Sequence, residues 1–496
     1  MVTITVNGTV FPVEPGARLS DCLPAHAAPE TPCGGAGRCG KCRVVARGCL
    51  SEPSPEELRA LSPAELARGV RLACCTRVLG SCEVFSGASA PAFILGESEA
   101  LPAPAPMFGR VGAAVDVGTT TLAVCLYGPD GALLAQAGKM NPQRRWGADV
   151  ISRIEASRRG EREALAQAVR EGINELLAEL CAGAGLAADA PDALVITGNT
   201  AMLYLLTGAD PDCLAHAPFE ADRLFGETLT GADLGLCCPG AAVYLPRCIS
   251  AFVGADTATA LLAAGLTEQP GVHLLADIGT NGEIALWDGH TLSCCSTAAG
   301  PAFEGAGLSM GMPGRAGAVD HVTLENGRLN AHVLGETEAE GICGSGVVDA
   351  LACLLAAGDL DESGLLDPEP AQICGKVFLT QKDVRAVQLA KSAVAAGIVT
   401  LTHASGAEPD RVDSLSIAGG FGSYLDVKSA GAIGLIPEEL VPRTRILGNA
   451  ALRGAAMLLL DRTLQARCES TARQAVTVDL ASSKVFFQAY TDCMFF

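Results

Sequence analysis

Two similar stretches decide the fold of this chain: AAVDVGTTTLAVCLYGPDG at 113–131 and LLADIGTNGEIALWDGHTL at 274–292. Each begins with an apolar run that predicts a strand ending in an aspartate, Asp116 or Asp277. A Gly-Thr pair with small polar residues follows, then a second strand and a turn containing Asp and Gly. The copies lie 161 residues apart, which indicates duplication of a whole domain rather than a short repeat array.

Both turns have the composition of a phosphate-binding loop. Glycine lets backbone N–H groups approach a phosphate, and threonine hydroxyls add donors. An aspartate that ends a strand beside such a loop can hold Mg²⁺ or a metal-bound water. We therefore expect Asp116 and Asp277 to place Mg²⁺ and the water that would attack a bound phosphate. Glu283 either orients that water or is an ordinary surface residue of the second strand. The residues expected to hold phosphates are Gly118, Thr119, Thr120, Gly279, Thr280, Asn281 and Gly282.

Two glycine-rich stretches accompany the duplication. LSIAGGFGSYLDV at 415–427 reads as strand, turn and helix, and Gly419 and Gly420 would let the backbone approach a flat ligand or its phosphates. AAGPAFEGAGLSMGM at 298–312 is either a tight structural connection or a loop that responds to a nucleotide or a partner.

The N-terminal stretch TPCGGAGRCGKC at 31–42 concentrates three cysteines, Cys33, Cys39 and Cys42. A [2Fe–2S] cluster needs four thiolates, and Cys74 or Cys75 can supply the fourth. Adjacent residues of a strand point to opposite faces, so only one of the two would face a cluster. Zinc is the alternative metal, although its four-cysteine sites usually carry two C-x2-C pairs. A third interpretation is that these are buried structural cysteines.

The rest of the first 94 residues predicts a small β-rich domain. A hairpin turns at Asn7-Gly8, strands follow at RVVARG, RLACCTRV and CEVF, and helices start at Ser54 and Ser62. The Pro/Ala-rich stretch 95–110 predicts an extended linker, either a swing arm or a passive spacer. We therefore expect domains at 1–94, 111–268 and 269–496. The aromatic stretch 485–496 either adds a last strand or forms an interface.

Composition limits the partners and the location. The 496 residues carry a formal net charge of −20, which argues against nucleic acid or an anionic membrane surface as partner. The sequence shows neither an apolar run long enough to span a membrane nor a secretory signal, so we expect a cytoplasmic protein. The 21 cysteines then indicate metal or redox chemistry, with many of them serving as small core residues.

The first 90 residues resemble the [2Fe–2S] ferredoxins through C-x5-C-x2-C at 33–42 and RLAC at 71–74. The five-residue gap is similar to the adrenodoxin-like branch rather than the plant type, which has four. The resemblance implies that Cys33, Cys39, Cys42 and Cys74 hold the cluster.

Residues 110–460 resemble the superfamily of acetate and sugar kinases, heat-shock chaperone ATPases and actin, in which ATP lies between two ribonuclease-H-like lobes. The resemblance implies that Gly419 and Gly420 lie on the adenosine side and that GICGSGVVDAL at 341–351 supplies Gly344 and Ser345 near the nucleotide. The predicted fold is thus multidomain α/β: a small β-grasp ferredoxin-like domain, then a duplicated ribonuclease-H-like, actin-like ATPase.

The combination is similar to the reductive activators of corrinoid-dependent enzymes, also through NPQRRWGADVISRI at 141–154 and GNTAM at 198–202. That resemblance implies that ATP drives one electron from the cluster to Co(II) of a corrinoid (cobalamin) protein of a methyltransferase system, restoring Co(I). It also implies a low-potential electron donor. A homodimer is left open. Two alternatives remain: an ATP-driven electron donor to another low-potential enzyme such as a dehydratase, or a non-catalytic redox-sensing module that binds nucleotide.

Overall fold

The computed structural model describes residues 2–6, 9–24, 27–29, 31, 33–38, 40, 42–61, 63–85, 99–421 and 424–496. The predicted ligand Cys39, the hairpin turn Asn7-Gly8 and the helix start Ser62 lie outside these residues.

The N-terminal domain is a five-stranded ferredoxin-like sheet with strand order β2-β1-β5-β3-β4. Its first strand buries Ile4 and Val6 while Thr3 is exposed, as the alternating sequence predicts. The elements are β1 (Val2–Val6), β2 (Thr9–Val13), α1 (Leu19–Cys22), β3 (Arg43–Leu50), α2 (Pro55–Ala60), α3 (Pro63–Ala67), β4 (Val70–Leu72) and β5 (Val78–Phe85).

Two features of this domain answer predictions made from its sequence. Ser54 caps α2, and together with Glu57 it forms a capping box, which confirms the predicted helix start. The continuous strand predicted for RLACCTRV is wrong, because β4 ends at Leu72 and 73–75 form a turn before β5 begins. Leu72 O accepts the backbone N–H groups of Cys75 and Thr76 at 2.9 and 3.0 Å, which closes that turn.

The described part of the predicted linker is packed on the ATPase body. Leu101 and Phe108 are buried, Leu101 N donates to Gly131 O at 3.1 Å, and Met107 N donates to Leu459 O at 2.9 Å. A free swing arm over 99–110 is therefore wrong, because the side chains of Leu101 and Phe108 are buried against the body.

The first lobe is a six-stranded sheet of order β10-β11-β9-β6-β7-β8 with helices against it. Strands β6, β7 and β8 form an antiparallel meander, while β9 runs parallel to β6. The elements are β6 (Gly112–Val117), β7 (Thr121–Tyr127), β8 (Leu133–Met140), α4 (Val150–Ala156), α5 (Arg162–Gly183), β9 (Ala193–Gly198), α6 (Thr200–Thr207), β10 (Glu227–Thr230), β11 (Ala242–Leu245) and α7 (Ala255–Ala264).

The second lobe repeats this arrangement in a six-stranded sheet of order β21-β20-β12-β13-β14-β22. Its meander is β12 (His273–Ile278), β13 (Gly282–Trp287) and β14 (Leu292–Thr297), and β20 (Ser414–Ala418) runs parallel to β12. The remaining elements are β15 (Ala318–Glu325), β16 (Arg328–Val333), β17 (Gly341–Ile342), α8 (Gly344–Ala357), β18 (Ala371–Cys374), β19 (Val377–Leu379), α9 (Gln381–Ala404), α10 (Val427–Ala432), β21 (Thr444–Gly448), α11 (Ala450–Leu460), α12 (Leu464–Gln474), β22 (Val476–Thr477) and α13 (Lys484–Asp492).

Helices α7 and α11 pack on each other between the two sheets. One apolar cluster joins them to inner residues of both sheets, among them Ala114 of β6 and Leu275 of β12. This layer holds the two lobes together and brings the ends of β6 and β12 to the same cleft.

Two long-range features complete the second lobe. Helix α9 is long and apolar enough to cross a membrane, but 78% of its apolar window is buried inside the fold, as in the core helix of a globular domain. The aromatic stretch 485–496 forms α13 and its tail rather than a strand, and it packs on α9. Lys391, fully buried on α9, donates from Nζ to Cys493 O at 2.6 Å and Phe495 O at 2.5 Å.

Candidate functional site

The two predicted phosphate loops meet across the cleft between the lobes. Thr120 Oγ1 of the first loop lies 3.2 Å from Thr280 Oγ1 of the second. Glu304 Oε2 accepts from both hydroxyls, at 2.6 Å from Thr120 and 2.8 Å from Thr280. A single carboxylate therefore bridges the loops of the two lobes.

The cleft has a volume of about 370 Å³, within the usual range for a small-molecule site. Gly282, by contrast, packs behind its loop, where a Cβ would lie 2.6 Å from Thr297 Oγ1. The predicted residues that line the cleft are Asp116, Gly118, Thr119, Thr120, Asp277, Gly279, Thr280, Asn281, Glu283, Gly344, Ser345, Gly419 and Gly420.

Three aspartates share the floor of the cleft, and burial raises the pKa of each. The pKa of Asp116 rises to about 6, opposed by a hydrogen bond that Asn449 Nδ2 donates at 2.8 Å. Burial and the charge of Asp116 raise the pKa of Asp256 to about 7, against hydrogen bonds from Thr257. Burial and the charges of Asp256 and Asp116 raise the pKa of Asp277 to about 8. The cleft therefore concentrates carboxyl groups whose charged forms a bound cation would stabilise.

Two glutamates add further carboxyl groups to the cleft. Burial, with Asp256 and Asp277 nearby, raises the pKa of Glu283 well above its usual value, and Ser296 Oγ donates to its Oε1 at 3.2 Å. Burial also raises the pKa of Glu304, although its hydrogen bonds from the two threonines oppose the shift. Glu283 therefore faces the cleft rather than an outer surface.

Two aromatic rings and two glycine turns also line the cleft. The rings of Phe303 and Phe421 stack with centroids 4.8 Å apart. Gly419 has a φ of +100°, and a Cβ there would lie 2.5 Å from Ile278 O, so the turn after β20 requires glycine. A Cβ on Gly344 would lie 1.8 Å from Phe303 O, so the start of α8 also allows only glycine at this close approach.

The cysteine loop brings two of the predicted ligands together. Cys42 Sγ lies 3.2 Å from Cys74 Sγ, and both side chains are buried. Gly37 has a φ of +70°, and a Cβ there would lie 2.8 Å from Cys75 Sγ, so the loop wraps this pair only with glycine at 37. Cys33 is half-buried in the loop, and Cys39 lies outside the described residues.

The expectation that Cys74 and Cys75 point to opposite faces is wrong. Their sulfurs lie 3.6 Å apart, because both residues belong to the turn 73–75 rather than to a strand. Within the described ranges, which omit Cys39, no group of three or more His, Cys, Asp or Glu side chains is assembled for a metal ion.

A buried carboxylate holds the Cys74 turn to α2. Glu57 is fully buried, and its Oε1 accepts from Arg71 Nε at 2.9 Å, Leu72 N at 3.0 Å and Thr76 Oγ1 at 3.0 Å. Burial raises the pKa of Glu57, but the hydrogen bonds from Arg71 and from backbone N–H groups outweigh it and lower the pKa overall. The residues before and after Cys74 are thereby fixed to one side chain.

Comparison with known proteins finds a matching family for each of the three parts of the chain. Family models match residues 2–79 (2Fe-2S iron-sulfur cluster binding domain), 111–269 (RACo middle region) and 271–496 (C-terminal domain of RACo, the ASKHA domain). The chain is 36% identical over 413 residues to the corrinoid activation enzyme RamQ of Eubacterium limosum. This alignment covers 76% of this chain and 69% of that protein. The chain belongs to the RACo-type corrinoid activation enzymes.

Two further comparisons support the same family assignment. The chain is 30% identical over 334 residues to the [Co(II) methylated amine-specific corrinoid protein] reductase of Methanosarcina barkeri, covering 60% of this chain and 61% of that one. The solved structure of a reductive activator for corrinoid,iron-sulfur protein matches with a TM-score of 0.73 and 26% identity, over 100% of this chain and 98% of that chain. The ferredoxin-like and ASKHA folds predicted from the sequence are confirmed.

The cleft of the corrinoid activation enzyme also contains residues that sequence reasoning missed. Asp256 is the second residue of α7, and Asn449 precedes α11, so both reach the cleft from the helix layer between the sheets. Glu304 and Arg153 lie inside the quoted stretches 298–312 and 141–154, but no spacing rule singled them out. For Glu304 the signal would have been a single charged residue in an otherwise apolar and glycine-rich stretch.

Proposed function

We propose that this chain couples ATP hydrolysis in its two-lobe cleft to the transfer of one electron from its iron–sulfur site to Co(II) of a corrinoid protein. One electron leaves the reduced site, and Co(II) of the partner becomes Co(I). The observation that carries the proposal is the presence, in one chain, of a cysteine loop with paired sulfurs and a cleft with two phosphate loops bridged by Glu304.

The cysteine site fits a [2Fe–2S] cluster through its donor chemistry. Cys42 and Cys74 present buried sulfurs 3.2 Å apart, close enough to bind the same iron. Cys33, and Cys39 outside the described residues, would complete the four thiolates. When bound, such a cluster supplies a one-electron carrier of low potential. The chain contributes the cysteine loop, the glycine at 37, where a Cβ would lie 2.8 Å from Cys75 Sγ, and the hydrogen bonds of Glu57 behind Cys74.

The cleft fits a nucleotide with Mg²⁺ for two reasons. Threonines of both loops line the cleft, and so do the stacked rings of Phe303 and Phe421. Asp116, Asp256 and Asp277 bring three buried carboxyl groups to one cleft, and a divalent cation would stabilise their charged forms in place of the protons that burial favours. Mg²⁺ would supply charge neutralisation at the phosphates. We assign Asp116 and Asp277 to position that cation and Glu283 to hold the attacking water.

ATP is needed because the electron transfer is energetically unfavourable. Each 59 mV of adverse potential costs a factor of ten for a one-electron step. A nucleotide-dependent state of the two lobes that binds the Co(I) partner better than the Co(II) partner would shift the equilibrium. The Methanosarcina barkeri relative is named as the reductase of a methylated amine-specific corrinoid protein, which supports a corrinoid protein of a methyltransferase system as the partner class we propose, in a cytoplasmic setting.

The test is an anaerobic single-turnover assay with the reduced protein and a Co(II) corrinoid protein, following the Co(I) absorbance with and without Mg-ATP. We expect an ATP-dependent rise that is lost in Cys74→Ala and in Asp277→Asn. Matched controls are Cys49→Ala, an exposed cysteine of β3, and Asp189→Asn, an exposed aspartate. Both controls should keep the rise.

The same assay distinguishes the alternative functions. A [2Fe–2S] signal in electron paramagnetic resonance together with ATP turnover, but no Co(I) with several corrinoid proteins, would move the proposal to another low-potential acceptor. Absence of ATP hydrolysis even with a corrinoid protein present would favour the redox-sensing module instead.

A further inference from the structure

One short turn holds the first phosphate loop from behind. The turn Pro142–Arg145 follows β8, and Asn141 immediately before it is fully buried. Asn141 N donates to Thr120 O at 2.8 Å, and Asn141 Nδ2 donates to Gly118 O at 2.8 Å. Arg153 of α4, also fully buried, donates from Nη2 to Thr119 O at 2.5 Å. Three consecutive carbonyls of the loop are thus engaged by two side chains and one backbone N–H.

The orientation of these carbonyls decides what the loop offers to the cleft. In a trans peptide the N–H of each residue points opposite to the preceding carbonyl, so the Gly118 and Thr119 carbonyls that face Asn141 and Arg153 turn the N–H groups of Thr119 and Thr120 the other way, as phosphate binding requires. Arg153 Nε also donates to Gly147 O at 3.1 Å, which ties the end of the turn to the same guanidinium. Asn141 and Arg153 are therefore positioning residues for the phosphate loop.

The other end of the turn contacts the cysteine loop. Thr31 Oγ1, from the ferredoxin-like domain, donates to Arg145 O at 3.1 Å. A Cβ on Gly34 would lie 3.0 Å from Trp146 O, so the loop approaches the turn as closely as a glycine permits. Thr31 is only 5% exposed. Because a 3-10 turn rises about 2 Å per residue, the two loops are separated by roughly 10 Å along this turn.

We propose that segment 141–146 couples the two cofactor sites, so that docking of the cysteine loop and binding of nucleotide favour each other. Nucleotide phosphates stabilise the loop orientation that Asn141 and Arg153 hold, and the Thr31 contact stabilises the same conformation of the turn from its far end. The coupling is reciprocal by thermodynamic necessity. This inference rests on the proposed function, because it requires that the cleft binds nucleotide.

The first test measures nucleotide affinity in the full-length protein loaded with its cluster, by titration with Mg-ADP. Thr31→Val removes the donor with little change of shape, and we expect affinity to fall roughly 2- to 10-fold, the equivalent of about one hydrogen bond. Thr31→Ser, which keeps the hydroxyl, should bind as the unmodified protein does. Thr3→Val is the matched control, because among the described contacts the side-chain hydroxyl of Thr3 bonds only Ser81 Oγ of its own domain, at 3.2 Å.

The second test follows amide hydrogen exchange of the cysteine loop. Gly34 N donates to Thr31 O at 2.8 Å and Ala36 N donates to Cys33 O at 3.2 Å, so both amides report on the loop. Mg-ADP should slow their exchange at least about 2-fold in the unmodified protein, the lower end of the effect of one hydrogen bond, and have no effect in Thr31→Val.

Equal Mg-ADP affinity in Thr31→Val and the unmodified protein would overturn the coupling, and so would exchange that is unchanged or faster with Mg-ADP. The exchange measurement on the unmodified protein stands even if Thr31→Val does not fold. If the unmodified protein binds no nucleotide, the proposed function fails. If it binds nucleotide and shows neither effect, only the coupling fails.

Discussion

The cleft aspartates predict an unusual dependence of stability on pH in the absence of metal. Asp277 and Asp256 have pKa values raised to about 8 and about 7, whereas an aspartate of the unfolded chain titrates near 3.9. A folded-state pKa above the unfolded value gives stability that is present below pH ~4 and is lost as pH rises toward 8. Metal-free protein should therefore become less stable between about pH 5 and pH 8.

The magnitude follows from proton counts. At pH 7 the folded state holds roughly 0.9 proton on Asp277 and roughly 0.5 on Asp256, while the unfolded chain holds almost none. The difference of about 1.4 protons corresponds to a loss of about 2 kcal/mol per pH unit near pH 7. For an ATPase body of this size the loss lowers Tm by roughly 2–4 °C per pH unit.

The assay is thermal unfolding with a metal chelator at pH 6, 7 and 8, repeated with saturating Mg²⁺. Asp277→Asn removes one titrating group, so its slope should be smaller than that of the unmodified protein by about 1.2 kcal/mol per pH unit. Asp189→Asn, at an exposed site, should leave the slope unchanged. Mg²⁺ should flatten the slope of the unmodified protein, because the bound cation replaces the protons.

An Asp277→Asn slope equal to that of the unmodified protein would refute the reasoning. A slope that Mg²⁺ leaves unchanged would show that the aspartates titrate but do not hold the cation.

Three further predictions concern the ferredoxin-like domain and the C-terminal helix. Cys74→Ser should abolish the [2Fe–2S] absorbance and paramagnetic signal of the reconstituted protein, whereas Cys75→Ser should retain both; the reverse result would exchange their roles. Glu57→Gln should destabilise the N-terminal domain by about 3–5 kcal/mol in urea unfolding, since a buried cation loses its partner; a loss below ~1 kcal/mol would contradict the buried-pair argument. Lys391→Met should cost about 2–4 kcal/mol by removing the hydrogen bonds that a fully buried ammonium donates to two carbonyls of the C-terminal tail. Amides of α13 should then exchange faster, whereas unchanged exchange would mean that other contacts hold the helix.

Much of the fold was predictable because its signals are local. The strand, Gly-Thr turn and strand pattern repeats around Asp116 and Asp277, and both copies form β-meanders with the same neighbours. The capping box at Ser54 was readable from residues three apart. Short-range patterns of this kind depend on backbone geometry that each segment adopts for itself.

The errors have an equally physical origin. The Cys74–Cys75 pair was assigned to a strand by its apolar neighbours, but Glu57 draws Leu72 N and Thr76 Oγ1 to one carboxylate and closes a turn there. The Pro/Ala-rich stretch was read as a free spacer from composition alone. Whether Leu101 could be buried depended on a surface of the body that no local pattern describes.

The sequence by itself determined the class of each domain, the cysteine loop and the two phosphate loops, since each is a property of contiguous residues. Only the tertiary structure decided that Asp256, Glu304 and Asn449 join Asp116 in one cleft, because they come from segments up to 333 residues apart. It also decided that Thr31 reaches the turn behind the first phosphate loop. Such contacts form when the two sheets pack on the α7–α11 layer. Burial of apolar surface drives this packing, and because it is non-directional, the spacing of residues within one motif does not predict it.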